Sequence, residues 1–319
     1  MWLRLENDIM EKNELNKDAM GGTELLEMRL RSHLSNDLLD KFQIVCSRER
    51  AINPEKKRIF WAHDLAQDSE AKKALGGERY KNYDKIVFVS HWQQSMYQAY
   101  LGVPYSAGIV LRNGIELFES HVKPMDKIRL IYFSTPHRGL DILESVFSHM
   151  TKGGNNHDVE LNVFSSFNLY GWAERDKPYK ELFDLLDNHP QVNYNGSVTN
   201  DRIREELKRS HILAYPSTWP ETSCLCLIES MCAGLTCVHS SLGALPETSM
   251  GITSMYAYTE QPNGHAHRFA AQLDADIKHI RNIHANDVPL VHNMRSHGIY
   301  DFNNIAREWE ALLKSILTT

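Results

Sequence analysis

One short stretch, residues 211–234, does most to constrain the fold of this chain. Residues 211–215 form an uninterrupted apolar run bounded by Pro216, which is typical of a buried parallel strand. Residues 225–231 have the apolar spacing of a helix, and Gly234 can end it. The loop between them therefore lies at the carboxyl edge of a parallel sheet. Ligands bind at that edge in α/β proteins, beside a helix N-terminus that favours anions.

Two carboxylates frame this loop. Glu221 lies in the loop, and Glu229 lies about two turns into the helix, with seven residues between them. Such a pair can accept hydrogen bonds from two separate sets of hydroxyls on one extended ligand. The plain alternative is that both are ordinary acidic residues that offset the dipole at a helix N-terminus. The spacing alone is compatible with both interpretations.

The sequence around the two carboxylates resembles that of a known family. Glu-x7-Glu, followed by residues 230–238 and by Gly-Ala-Leu-Pro-Glu at 243–247, is similar to the nucleotide-sugar site of retaining GT-B glycosyltransferases of family 4, the glycosyl transferases group 1. The resemblance covers most of residues 128–250 well and the remainder loosely. It implies an α/β fold with two Rossmann-like, doubly wound domains that face a cleft. It also implies that Glu221 contacts the hydroxyls of the donor sugar and that Glu229 contacts the ribose.

One departure from the family lies inside this motif. The usual Gly-Phe-Gly is replaced by Thr222, Ser223 and Cys224, so side chains occupy positions at which the backbone approaches the ligand. The backbone amides of Ser223, Cys224 and Leu225 remain candidates for donating hydrogen bonds to a phosphate.

The first third of the chain alternates strands and helices. We expect strands at residues 2–5, 42–46, 58–62 and 83–90. Gly21 and Gly22 open a helix, and two glycines allow backbone amides to approach a phosphate because no side chain intervenes. A flexible helix start explains two glycines equally well. The resemblance matches them to a glycine loop that faces the donor phosphates.

A histidine follows the strand predicted at residues 58–62. His63 at this carboxyl end is well placed for contact with a ligand, although a lone histidine is more often structural. In the resembled family a histidine at this place hydrogen-bonds the donor sugar. The resemblance therefore implies a catalytic role for His63, with Asp64 as its neighbour and possible orienter.

The strand at residues 128–134 ends at Ser134 and leads to Arg138 near a helix N-terminus. An arginine there can neutralise a diphosphate with two hydrogen bonds, although a solvated surface arginine is the plain alternative. The family pattern supplies two cations from a longer loop, whereas this loop supplies one. The resemblance implies that Ser134 and Arg138 contact the donor, and that Gly196 and Ser197 lie in a loop near the nucleobase.

The domain limits follow from the same comparison. Residues 113–115, Asn-Gly-Ile, resemble the turn that ends the first domain of the family. We therefore predict an N-terminal, acceptor-side domain over residues 1–122 and a C-terminal, nucleotide-sugar domain over residues 123–302. Residues 303–319 carry one apolar helical face and are predicted to form a helix that crosses back onto the first domain.

Composition excludes several functions. The chain has 35 basic and 41 acidic residues, a net charge of −6, which argues against nucleic acid as a partner. No apolar stretch is long enough to span a bilayer, so we expect a cytoplasmic protein with at most peripheral membrane contact. The histidines after residue 250 lack the spacing of zinc ligands, and we expect no metal and no cofactor besides the donor.

The resemblance thus implies a retaining glycosyltransferase. It would move a sugar from a UDP-type or GDP-type donor to a hydroxyl of a glycan, lipid-linked or protein-linked acceptor, with His63, Glu221 and Arg138 as the catalytic set. Two other classes stay open. A nucleotide-sugar epimerase would need further acid/base carboxylates, and a non-catalytic partner subunit of GT-B type would only bind. The oligomeric state has no signature in the sequence.

Overall fold

The computed structural model describes residues 21–48, 51–286 and 294–318, and within them it contains two separate parallel sheets. The strand predicted at residues 2–5 lies outside the described residues. Both sheets are covered by helices, which is the α/β arrangement that the alternation of strands and helices predicts.

The first sheet lies in the N-terminal part of the chain and has four strands in the order β1-β2-β3-β4, all parallel. Its strands are β1 (Phe42–Cys46), β2 (Lys57–Trp61), β3 (Lys85–Phe88) and β4 (Gly108–Val110). Its helices are α1 (Gly22–His33), α2 (Asn36–Leu39), α3 (Ser69–Leu75) and α4 (His91–Leu101). The strands predicted at residues 42–46, 58–62 and 83–90 are present, each within two residues of the expected start and end.

The second sheet has six parallel strands in the order β10-β9-β8-β5-β6-β7. They are β5 (Ile128–Phe133), β6 (Val159–Phe164), β7 (Val192–Tyr194), β8 (Ile212–Tyr215), β9 (Thr236–Ser240) and β10 (Ser254–Tyr256). The helices are α5 (Leu140–Thr151), α6 (Lys180–Asp187), α7 (Asn200–Arg209), α8 (Leu225–Cys232), α9 (Leu245–Ser249) and α10 (Pro262–Ala285). The order reverses between β5 and β8, and such a switch point opens a crevice at the carboxyl ends of the two strands.

The central strands of the second sheet are buried on both faces. Every residue of β8 is fully buried, because helices cover the sheet on both sides, and this is why its sequence is a continuous apolar run. Strand β10 and helix α10 were not predicted. Their residues include many polar side chains that weaken the apolar period, although α10 buries Phe269, Leu273 and Ile277 against the same core.

The chain ends by returning to the first sheet. Helix α11 (Met294–Tyr300) leads into α12 (Phe302–Thr318), and the Phe302 amide donates to the carbonyl oxygen of Ile115. Trp309 of α12 is fully buried, with its ring centroid 4.7 Å from that of Trp61 in β2. The predicted crossing helix is therefore confirmed. The boundary at residue 122 stays a prediction.

Candidate active site

Two loops meet at the switch point of the second sheet. Residues 134–139 follow β5, and residues 216–224 follow β8. Gly139 has φ +92°, and a Cβ atom there would lie 2.0 Å from the carbonyl oxygen of Pro216. Only glycine allows the two loops to approach this closely. The contact brings the arginine of the first loop to the carboxylate of the second.

Glu221 is the centre of this group. It is 4% exposed, and its Oε1 accepts from Arg138 Nη1 at 2.7 Å and from the Tyr215 hydroxyl at 2.5 Å. Burial and the nearby Glu221 raise the pKa of Tyr215, so its hydroxyl stays protonated and donates. The Nε of Arg138 is buried and has no partner within the described residues. This arginine therefore has a donor left for an anionic ligand.

Gly243 fixes the backbone at Glu221. It has φ +64°, and a Cβ atom there would lie 2.6 Å from the Glu221 amide nitrogen. The amide of Ala244 donates to the Glu221 carbonyl oxygen at 2.7 Å. The Gly-Ala-Leu-Pro-Glu segment thus holds the first carboxylate in place. Tyr215, by contrast, was missed as a site residue, because a tyrosine that ends a buried strand is indistinguishable in sequence from a core residue.

Helix α8 begins directly after this loop. Cys224 is at its N-cap and 2% exposed, so its side chain is part of the core, whereas Ser223 is partly exposed. Within the described residues, no side chain caps this helix N-terminus. Its first amides are consequently candidates for binding an anion, as the sequence predicted for the backbone of residues 223–225.

The second carboxylate, Glu229, is buried and ion-paired. Its Oε1 lies 3.1 Å from Arg29 Nη2 and 3.8 Å from Arg204 Nη1. Arg29 belongs to α1, and it also donates to the carbonyl oxygen of Gly114 at 3.2 Å. The carboxylate predicted to bind ribose therefore joins the two halves of the chain. Arg29 was not predicted as a site residue, because in sequence it looks like an ordinary polar residue of an amphipathic helix.

His63 lies at the carboxyl end of β2, as expected. Burial lowers its pKa to about 3, so the ring is neutral at physiological pH, and its Nε2 is buried and has no hydrogen-bond partner within the described residues. Asp64 does not act as the expected orienter. Its backbone amide and that of His63 both donate to Ser47 Oγ, and its carboxyl interacts with Asp68, Arg48 and Ser47.

The sequence of the second unit matches a family model. Residues 129–275 match the model described as Glycosyl transferases group 1. The match covers slightly less than half of the chain, and we call the matched residues the group 1 domain. The family indicates glycosyl transfer as the class of reaction, and the matched residues include Arg138, Glu221 and Glu229.

Solved structures show the same fold. A glycosyltransferase from Rickettsia africae has a TM-score of 0.62 and 16% identity, over 95% of this chain and 84% of that one. HepE from Anabaena, solved with UDP-glucose, has a TM-score of 0.62 and 15% identity, over 82% of this chain and 72% of that one. The fold is GT-B. A comparison with curated protein sequences finds no significant match.

The group 1 domain also contacts the N-terminal unit through Thr222, which departs from the family motif, and through Glu247. The Thr222 hydroxyl donates to the carbonyl oxygen of His63 at 2.7 Å, and the Ser90 hydroxyl donates to the carbonyl oxygen of Thr222 at 2.7 Å. The carboxylate of Glu247 accepts from the first amides of α4 at 3.0 Å. Thr222 thus has a structural use that a glycine could not provide.

The two glycines of the N-terminal unit are covered by the group 1 domain. A Cβ atom on Gly21 would lie 2.4 Å from a ring carbon of Tyr170, and one on Gly22 would lie 3.0 Å from a methyl group of Leu225. The predicted contact of Gly21 and Gly22 with the donor phosphates stays a prediction. The ring of Tyr170 uses the space that the missing side chain leaves.

Three predicted donor residues lie at the same sheet edge. Ser134 directly follows β5, is partly exposed and begins the loop that carries Arg138. Gly196, with φ +60° and open space around it, and the exposed Ser197 follow β7, two strands away from β5. Their predicted contact with the nucleobase stays a prediction.

The described residues contain no group of three or more His, Cys, Asp or Glu side chains that could hold a metal ion. They also contain no helix long and apolar enough to cross a membrane. The expectation that catalysis needs no metal stays a prediction.

Proposed function

We propose that this chain is a retaining glycosyltransferase that moves a sugar from a nucleoside-diphosphate donor, of the UDP or GDP type, to a hydroxyl of a glycan or other acceptor. The observation that carries the proposal is the group formed by Arg138, Glu221 and Tyr215. It lies at the switch point between β5 and β8, beside the N-terminus of α8. This combination of an arginine, helix amides and a buried carboxylate suits a ligand with a diphosphate at one end and hydroxyls at the other.

The chemistry requires a stabilised leaving group. The bond between the anomeric carbon and the diphosphate oxygen breaks, and negative charge grows on that oxygen. Arg138, through its unpaired Nε, and the first amides of α8 are placed to stabilise this charge. Glu221 would accept hydrogen bonds from the sugar hydroxyls and hold the ring in place.

We propose that the configuration at the anomeric carbon is retained through a front-face route. The acceptor oxygen bonds to the anomeric carbon on the face from which the diphosphate leaves, and its proton passes to a phosphate oxygen. No side chain is assigned as a covalent nucleophile. His63 is neutral because burial lowers its pKa to about 3, so it can orient the sugar without adding charge.

A thermal-shift screen against UDP, GDP, ADP, CMP and their common sugar conjugates tests the donor class. We expect a selective rise in Tm with one nucleoside diphosphate, because ligand binding to the folded state stabilises it. HepE was solved with UDP-glucose, which makes UDP the first candidate. The anomeric configuration of the product, read by NMR, tests retention. A protein that responds to none of these nucleotides would contradict the proposal.

A second candidate is a non-catalytic GT-B subunit that only binds. One observation favours it: both carboxylates are already ion-paired, Glu221 with Arg138 and Glu229 with Arg29. A subunit of this kind would bind the nucleotide sugar but leave it intact. Chromatography of the donor after incubation with acceptor extracts separates the two candidates, since a transferase releases the nucleoside diphosphate.

A further inference from the structure

The connection between β6 and α6, residues 165–179, is rich in aromatic residues and reaches across the cleft. It is firmly attached to the group 1 domain. The Ser166 hydroxyl and the Phe167 amide both donate to the Asp176 carboxylate, at 2.5 and 2.8 Å. The ring of Phe167 stacks on that of His137, with centroids 5.4 Å apart. The position of this connection is therefore set by the site loop that carries Arg138.

Tyr170 is the residue of this connection that spans the cleft. Its ring lies against Gly21 of the N-terminal unit and 5.2 Å, centroid to centroid, from the ring of Trp172. Glu24 Oε2 lies 2.6 Å from the same Cβ position of Gly21 that the tyrosine ring approaches. Tyr170 therefore lies at the contact between the group 1 domain and α1, where it interacts electrostatically with Arg138, Glu221 and Glu24.

The charged groups around Tyr170 supply little net positive charge to balance the negative charge of a diphosphate. Glu221 already pairs with Arg138, and Glu24, whose Oε2 lies 2.6 Å from the Cβ position of Gly21, adds a further carboxyl. The loop at residues 134–139 has one cation where the resembled family has two. An uncharged donor can hydrogen-bond a phosphate without another cation.

We propose that Tyr170 is a donor-site residue whose hydroxyl donates a hydrogen bond to the terminal phosphate of the nucleoside diphosphate. This inference rests on the proposed function and deepens it by adding a phosphate contact from a segment outside the family motif. Burial raises the pKa of Tyr170, which keeps the hydroxyl protonated and able to donate.

The test compares nucleotides that differ by one phosphate. Calorimetric titration of wild type and Tyr170→Phe with UDP, UMP, GDP and GMP separates the terminal phosphate from the rest of the nucleotide. We expect Tyr170→Phe to bind the cognate diphosphate about tenfold more weakly and the monophosphate within about twofold of wild type. The ring is retained, so the contact with Gly21 persists and the fold is undisturbed.

Tyr179→Phe is the matched control, because this tyrosine lies at the end of the same connection and packs on Phe167 and Phe183. It should bind all four nucleotides as wild type does. The assignment of Tyr170 would be overturned if Tyr170→Phe bound the diphosphate as tightly as wild type or more tightly. It would also be overturned if the variant lost as much affinity for the monophosphate as for the diphosphate. Neither result would contradict the proposed function. If wild type binds neither diphosphate, the proposed function fails and this inference fails with it.

Discussion

Arg29 and Glu229 form a buried ion pair that joins helix α1 of the N-terminal unit to helix α8 of the group 1 domain. The side chains are 8% and 4% exposed, and the nitrogen and oxygen atoms lie 3.1 Å apart. Arg29 also binds the carbonyl oxygen of Gly114, just before the linker between the units. The carboxylate expected to hold the ribose is thus tied to the arrangement of the two units.

Arg29→Ala should lower stability strongly. It leaves the Glu229 carboxylate buried without this partner, and breaking a buried pair in this way costs about 3 kcal/mol. Urea unfolding measures the loss. Arg31→Ala is the control, since Arg31 pairs with Glu27 on the exposed side of the same helix and should change stability by less than about 0.5 kcal/mol. Equal effects of the two substitutions would show that the buried Arg29–Glu229 pair contributes no more to stability than the exposed Arg31–Glu27 pair.

Arg138→Ala and Glu221→Gln should each remove most transfer activity while the protein stays folded. Arg138 is expected to stabilise the leaving diphosphate, and Glu221 is expected to position the sugar. Loss of one such contact typically lowers kcat by about 100-fold to 1000-fold. Steady-state kinetics with the identified donor measure the change, and circular dichroism checks the fold. Arg202→Ala removes an exposed arginine of the same domain and should leave kcat unchanged. Full activity in either site variant would refute these roles.

The sequence predicted most of the fold because its central strands are uninterrupted apolar runs. Residues 42–46 were predicted as a strand with the limits that the structure has, and residues 58–62, 128–134 and 211–215 with limits that differ by at most one residue. It could not predict which side chains meet across the cleft. Arg29 and Glu229 are 200 positions apart, and nothing in the local pattern of α1 distinguishes Arg29 from its exposed neighbour Arg31.

The site was predicted in part for the same reason. The family motif identified Glu221 and Arg138, which the structure brings to 2.7 Å. Thr222 was recognised only as a departure from the family motif. Its hydrogen bond to the His63 carbonyl oxygen depends on how the two units pack together, which the local sequence does not encode. Tyr170 carried no signal, since an aromatic residue in a long connection has no period that marks it as part of a site.

Asp64→Asn should become more stable than wild type as the pH rises. Burial, with Asp68 as the next cause, raises the pKa of the Asp64 carboxyl to about 6 from its ordinary value of 3.8. The folded protein therefore keeps this proton at pH values where the unfolded chain has lost it. Wild type loses stability between about pH 4 and pH 6, by about 3 kcal/mol, and the asparagine variant avoids this loss.

Urea unfolding at pH 4.5 and pH 7.5 measures the difference between the two proteins. Both proteins contain His63, whose pKa is lowered, so its contribution to the pH dependence cancels in the difference. Asp37→Asn, at an exposed carboxyl of α2, gives the baseline. Parallel pH curves for wild type and Asp64→Asn would contradict the raised pKa.

Gly243→Ala should impair the site beyond its cost in backbone strain. Alanine at positive φ costs about 1 kcal/mol wherever it is placed. At Gly243 the new Cβ atom would also lie 2.6 Å from the Glu221 amide nitrogen, so the loop that carries this carboxylate must shift. We expect donor affinity to fall at least about tenfold, by calorimetry. Gly153→Ala is the matched control, because Gly153 has φ +72° with nothing within 4 Å of the Cβ position. It should lose only the strain energy and keep wild-type affinity, whereas equal affinities for the two variants would show that Gly243 does not position Glu221.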